Sequence, residues 1–189
     1  NSNAANPIRI SSFNYDWVQQ KKLSYPEKFS FKNEKGLTVE YWVMKPTNYE
    51  PGKKYPVVLE IHGGPTAMWG PGENSMWHEF QFWCSKGYGV VYANPRGSGG
   101  YGQEFLKANV KDWGNGPMQD VLTALTKATA ASPWADTSKM VVTGGSYAGY
   151  LIAYIISHDN RFKAACSQRG VYDLRTFFGE GNAWRLVPN

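Results

Sequence analysis

At 189 residues the chain is about the size of one domain, long enough to bury a core without metals or disulfides. Its 42% hydrophobic and 15% aromatic content excludes a disordered tail, and its apolar runs, such as those at 56–61 and 140–142, are far short of the ~20 residues a membrane-spanning helix needs. The net charge of +5 comes from scattered Lys and Arg whose only doublets are Lys21-Lys22 and Lys53-Lys54, which describes a solvated surface and not a nucleic-acid patch.

Residues 1–20 are Asn- and Ser-rich without a clear period and read as a linker or the end of a preceding domain, leaving 21–189 as the folded unit. Alternation around Phe29 and Phe31 predicts a strand over 28–32, Asn33-Glu34-Lys35-Gly36 a turn, and Leu37, Val39, Tyr41 and Val43 a second strand over 37–45, together a hairpin. Short apolar runs predict strands over 56–61, 89–93, 139–143 and 164–168. Helices are expected over 77–86, over 117–131 with Met118, Val121, Leu122 and Leu125 on one face, and over 147–158, which is apolar nearly all round and so expected to be buried. Cys84 and Cys166 lie inside apolar segments and read as small buried hydrophobes. A hairpin followed by alternating strands and helices predicts an α/β fold with a mostly parallel sheet and flanking helices. The Gly-rich breaks fall after its strands, at the carboxyl ends where such sheets gather their active groups.

The sharpest of these breaks is Thr143-Gly144-Gly145-Ser146-Tyr147-Ala148-Gly149-Tyr150, where a strand ends, small residues surround one serine, and an apolar helix begins. That is the context of a nucleophile elbow, which lifts a serine hydroxyl above the sheet edge at a helix N-terminus. Ala148 stands where the usual Gly-x-Ser-x-Gly pattern has its second glycine, and the bland alternative is a Gly-rich turn with a capping serine. Roughly 80 residues earlier, strand 56–61 runs into His62-Gly63-Gly64-Pro65. Acyl transfer needs N–H donors aimed at the oxyanion, and an early loop of this type supplies one while the residue after the nucleophile supplies the other. The candidates are Gly64 and Tyr147.

Four ordered stretches then carry a resemblance: His62-Gly63-Gly64-Pro65, Ala93-Asn94-Pro95-Arg96-Gly97-Ser98-Gly99-Gly100-Tyr101-Gly102, Asp112-Trp113-Gly114, and Gly144-Gly145-Ser146-Tyr147-Ala148-Gly149-Tyr150. Over about residues 25–175 the sequence resembles the catalytic domain of the prolyl oligopeptidase family of serine peptidases, most nearly its acylaminoacyl-peptidase and dipeptidyl-peptidase branches. The resemblance implies an α/β-hydrolase domain following a β-propeller, and hydrolysis of short peptides through an acyl-enzyme on Ser146. The expected partners are a peptide substrate and the remainder of the same polypeptide, propeller and C-terminal hydrolase segment, with self-association left open and no nucleic acid, membrane, cofactor or metal implied. Arg96 and Asp120 match positions read as structural, a loop anchor and a helix residue.

A serine nucleophile needs a base and an orienting carboxylate, in the order Ser, acid, His for this fold. His158 is the one histidine after Ser146; twelve residues along a helix at ~1.5 Å each place it roughly 18 Å away, too far to serve. His62 is expected to shape the oxyanion loop and His78 to open a helix. Asp159 closes the elbow helix and points away, and Asp173 is a weak candidate acid. The resemblance implies that acid and base lie beyond residue 189, so the chain, which opens at Asn1 and stops at Trp184-Arg185-Leu186-Val187-Pro188-Asn189, is expected to be a piece of a longer enzyme and inactive alone. A carboxylesterase or lipase on the same fold, and an inactive relative serving as an interaction module, are the alternatives. Trp69, Trp77, Phe80, Phe82 and Trp83 either line a substrate pocket or, for most of them, fill the core.

Overall fold

The computed structural model of the chain describes residues 8–179. The expectations for residues 1–7 and for the stretch from Trp184 to Asn189 lie outside them. Six strands, β1 (Glu27–Lys32), β2 (Thr38–Met44), β3 (Tyr55–Ile61), β4 (Gly89–Ala93), β5 (Ala135–Gly145) and β6 (Phe162–Gln168), form one sheet in the order β1-β2-β4-β3-β5-β6. The β1–β2 hairpin closes because the Asn33 side-chain oxygen accepts the N–H groups of Lys35 and Leu37, holding the turn that brings Lys32 opposite Thr38. β2 pairs antiparallel with β4, and β4, β3, β5 and β6 run parallel, so the expected mostly parallel α/β sheet is what forms.

The helices are α1 (Tyr15–Gln19), α2 (Trp77–Ser85), α3 (Gln103–Lys107), α4 (Asn115–Ala130), α5 (Tyr147–Ile156) and α6 (Leu174–Phe178). Strand alternation divides the core in two. On one face Trp42, Met44, Val58, Val90 and Tyr92 pack against Phe80 and Cys84 of α2. On the other, Leu59, Ile61, Val91 and Val142 meet the Met118, Val121, Leu122 and Leu125 stripe of α4 and Leu151, Ile152 and Ile155 of α5. Each such side chain contributes about 1.5–3 kcal/mol when fully buried. The connection from β3 leads to β4 on one side, and the next parallel strand, β5, lies on the other side of β3. The loops after β3, β4 and β5 therefore converge at one edge, where open α/β sheets place their ligand crevice.

Two motif loops are joined below that edge by buried polar groups. Asp120 of α4 accepts from the Arg96 backbone N–H at 2.8 Å, from Nε at 2.9 Å and from Nη2 at 2.7 Å. Glu34 of the hairpin turn takes the other side of the guanidinium, and that contact holds the Glu34 carboxyl below its ordinary pKa. Arg96 and Asp120 are 2% and 1% exposed, so the pair anchors the loop after β4 as expected. The Asn94 amide spans to the loop after β3, accepting from Trp69 N–H at 3.0 Å and donating to Trp69 O at 2.7 Å.

The sequence reading differs from the structure at several points. α1, α3 and α6 were not expected, because five residues are too few to show a helical period. Cys166 is exposed, not buried: it stands opposite Thr143 on β6, an edge strand among the described residues, whereas α2 packs over β4. α5 is buried on one side only. Ile156 is 51% exposed, and Tyr150 and Tyr154 border a groove of about 530 Å³ completed by Trp113, Leu174, Phe177 and Phe178. Among the early aromatics Trp69 and Phe80 are core and Trp83 packs against it, while Phe82 is exposed beside Trp83.

Candidate active site

β5 and α5 meet at Ser146, whose φ of 63° and ψ of −123° hold a non-glycine residue in backbone space that L-residues rarely adopt. The serine is exposed and its side chain caps no helix N–H, which argues against the capping reading. Small residues make the turn possible. A Cβ at Gly144 would fall 2.4 Å from Ile61 O and 2.8 Å from the Ala148 methyl, so Ala148 fits in the second-glycine position because residue 144 has no side chain.

Tyr147 is the first residue of α5, so its N–H lacks an intrahelical acceptor and stands at the positive end of the helix dipole. Its ring is buried, and its hydroxyl donates to Trp113 O at 2.7 Å, which ties the elbow to the Asp112-Trp113-Gly114 stretch. Burial raises the pKa of that hydroxyl well above the ordinary tyrosine value. Asp112 in turn accepts the Gly116 N–H at 2.9 Å at the start of α4.

β3 and β5 are direct neighbours with Ile61 opposite Gly144, so the loop after β3 lies beside the serine. A Cβ at Gly63 would sit 2.9 Å from Gly145 O and 3.2 Å from Ser146 Cβ. Gly64 has φ 118°, and a side chain there would strike Thr66 N at 2.3 Å. Its N–H donates to no backbone oxygen among the described residues. The loops after β3 and β4 are further joined by Gly99 N–H, which reaches Thr66 O and Ala67 O at 3.2 Å each.

The structure thus brings Ser146, Tyr147 and Gly64 to one edge. Among the described residues it does not bring a histidine or an acid to the serine. His62 is buried, with Nδ1 2.8 Å from Gly63 O and Nε2 2.8 Å from Ser98 Oγ, so both ring nitrogens are engaged away from Ser146. His78 lies in the first turn of α2, as expected. His158 follows α5, its Nδ1 2.8 Å from Tyr154 O. Asp159 binds Arg161 through its backbone N–H and Nε at 2.9 Å. Asp173 caps α6, accepting from Arg175 N–H at 2.8 Å and Thr176 N–H at 3.2 Å; an Asp just before a helix is an N-cap signal that the sequence reading used instead as a candidate acid. Two neighbours of the site went unnoticed in the sequence. Ser98 is masked by a Gly-rich run, and Arg169, in left-handed backbone at φ 48°, lays its guanidinium over Gly145.

A parallel-sheet domain with a serine on a strained strand-to-helix turn, beside a glycine loop from the adjacent strand, defines an α/β-hydrolase. The sequence pattern of the prolyl oligopeptidase family matches residues 74–186, and the chain belongs to that family. It is 41% identical over 171 residues to the uncharacterized peptidase YuxL of Bacillus subtilis (strain 168), covering 90% of this chain and 26% of that protein. Dipeptidyl-peptidase 5 of Schizosaccharomyces pombe is 35% identical over 155 residues, covering 80% of this chain and 22% of the relative. Among solved structures, the acylaminoacyl peptidase of Pyrococcus horikoshii in its orthorhombic crystal form superposes with a TM-score of 0.84 at 31% identity, over 91% of this chain and 27% of that one. The chain therefore spans about a quarter of the length of the relatives it matches.

Proposed function

We propose that this chain carries the acylating half of a serine peptidase that hydrolyses short peptides of the acylaminoacyl- or dipeptidyl-peptidase type. The observation that carries the reading is Ser146, exposed at φ 63° at the head of α5 with the Gly63-Gly64 loop against it. Ser146 Oγ attacks the scissile carbonyl. The N–H groups of Tyr147 and Gly64 hold the oxygen as it becomes negative, the point at which such donors act. The proton passes to a histidine oriented by an acid, both supplied by the remainder of a longer polypeptide; the histidine hands it to the leaving amine as the C–N bond breaks, and water then hydrolyses the acyl-enzyme and returns the proton to Ser146. Residues 1–20 join the hydrolase, 21–189, to a preceding domain. The names of the relatives support the substrate class, and the share of their length that the chain covers supports the longer polypeptide.

The test uses the full-length polypeptide. A fluorophosphonate probe is expected to label the wild type and not Ser146→Ala, and aminoacyl and dipeptidyl nitroanilides are expected to be turned over faster than short acyl esters. Ester turnover without peptide turnover replaces the peptidase by an esterase. A folded, unlabelled wild type removes Ser146 from the chemistry.

A further inference from the structure

The ring of His62 stands in a chain of three hydrogen-bonding contacts, and their chemistry decides where its proton lies. Nδ1 is 2.8 Å from Gly63 O, Nε2 is 2.8 Å from Ser98 Oγ, and Ser98 Oγ is 2.6 Å from Pro95 O. Satisfying all three at once requires a hydrogen on each ring nitrogen and one on the hydroxyl, which is an imidazolium. Burial lowers the His62 pKa from its ordinary value, so near pH 7 the ring is neutral and carries one N–H. A carbonyl oxygen can only accept. An unprotonated Nδ1 would face Gly63 O lone pair to lone pair at 2.8 Å, so the proton is assigned to Nδ1 from its partners. Nε2 then accepts from the Ser98 hydroxyl; Pro95 O gives up that hydroxyl but keeps the Ser98 backbone N–H at 3.1 Å, whereas Gly63 O has no second donor among the described residues, so this tautomer leaves the fewest groups unpaired. Ser98 is itself fully buried in the loop anchored by Arg96.

Gly63 O belongs to the same peptide unit as the Gly64 N–H. In a trans unit the two point in opposite directions, so fixing one fixes the other. With φ 118° at Gly64 and no side chain at Gly63 or Gly64, the two residues bring no side chain of their own to resist a flip of that peptide plane.

We infer that His62 is a positioning residue for acylation: its Nδ1–H clamps Gly63 O so that the Gly64 N–H faces the oxyanion, and the Ser98 hydroxyl holds the ring in that tautomer. The inference rests on the Ser146 reading above and adds to it a residue that never touches the substrate.

The experiment compares two replacements in the full-length polypeptide. In His62→Asn the side-chain amide N–H replaces Nδ1–H against Gly63 O. In His62→Gln the longer amide reaches towards Ser98 and leaves Gly63 O without its donor. Misdirecting one oxyanion donor is expected to lower kcat of His62→Gln by about 10²-fold with KM nearly unchanged, while His62→Asn retains kcat within about tenfold of wild type. Ser98→Ala, which spares the clamp but frees Nε2, is expected to fall between them, and it decides the matter if the His62 variants do not fold. Equal kcat losses in Asn and Gln, losses confined to KM, or a Ser98→Ala variant with wild-type kcat overturn the inference. Fluorophosphonate labelling of the wild type at Ser146 keeps the two questions apart. A labelled wild type with indifferent His62 variants refutes only the clamp, whereas an unlabelled wild type refutes the serine reading beneath it.

Discussion

Glu60 sits two residues before His62 on β3, 1% exposed, with neither carboxylate oxygen hydrogen-bonded among the described residues. Burial, then the neighbouring Glu79 carboxylate, pushes its pKa up to about 9. The folded state therefore holds a proton that the unfolded chain releases near the ordinary glutamate value. Stability contributed by neutral Glu60 is complete below about pH 4.5, falls by about 1.4 kcal/mol per pH unit above that, and stops falling once pH passes the folded pKa. The melting temperature of the hydrolase domain is accordingly expected to drop between about pH 5 and 9. Glu60→Gln, which has the same shape and no proton to lose, is expected to flatten that slope, as thermal melts across a pH series would record. A slope unchanged in Glu60→Gln would assign it to other groups.

At the scale of elements, the Arg96–Asp120 pair joins the loop after β4 to α4 and, through Glu34, to the β1–β2 turn. Asp120→Ala leaves a buried guanidinium with only the exposed Glu34, which is expected to cost about 3–5 kcal/mol in denaturant unfolding, with a smaller cost for Glu34→Ala. Equal costs would mean that the exposed carboxylate carries the pair. This connection also marks how far the sequence could be read. The strands, the three long helices and the two motif loops were legible because Gly and Pro breaks interrupt clear apolar periods and local chemistry decides each one. The pairing of Arg96 with Asp120, and of His62 with Ser98, depends on residues brought together by the sheet, and no local pattern encodes it. Cys166 was misread for a related reason: an apolar run shows that a strand exists and not which of its faces a helix covers. The elbow was legible down to Ala148, whose tolerance follows from Gly144.

Across the whole molecule, every histidine has a place and none reaches Ser146, while the relatives are about four times longer than the chain. The 189-residue chain by itself is expected to show no hydrolysis of aminoacyl nitroanilides under conditions where the full-length polypeptide turns them over. Measurable turnover by the short chain would put the base within it. The adjacency of β3 and β5 has a mechanical consequence. From Val57 opposite Met140 to Ile61 opposite Gly144 the two strands share one ladder, and the serine and the glycine loop both leave it at the Ile61–Gly144 end. Sliding one against the other means shearing several hydrogen bonds, each contributing about 1 kcal/mol net, together with the core beneath them. Ser146 and the Gly63-Gly64 loop therefore travel as one stiff plate. On the function proposed above, a base carried elsewhere in a longer polypeptide approaches or leaves that plate without changing the spacing across it.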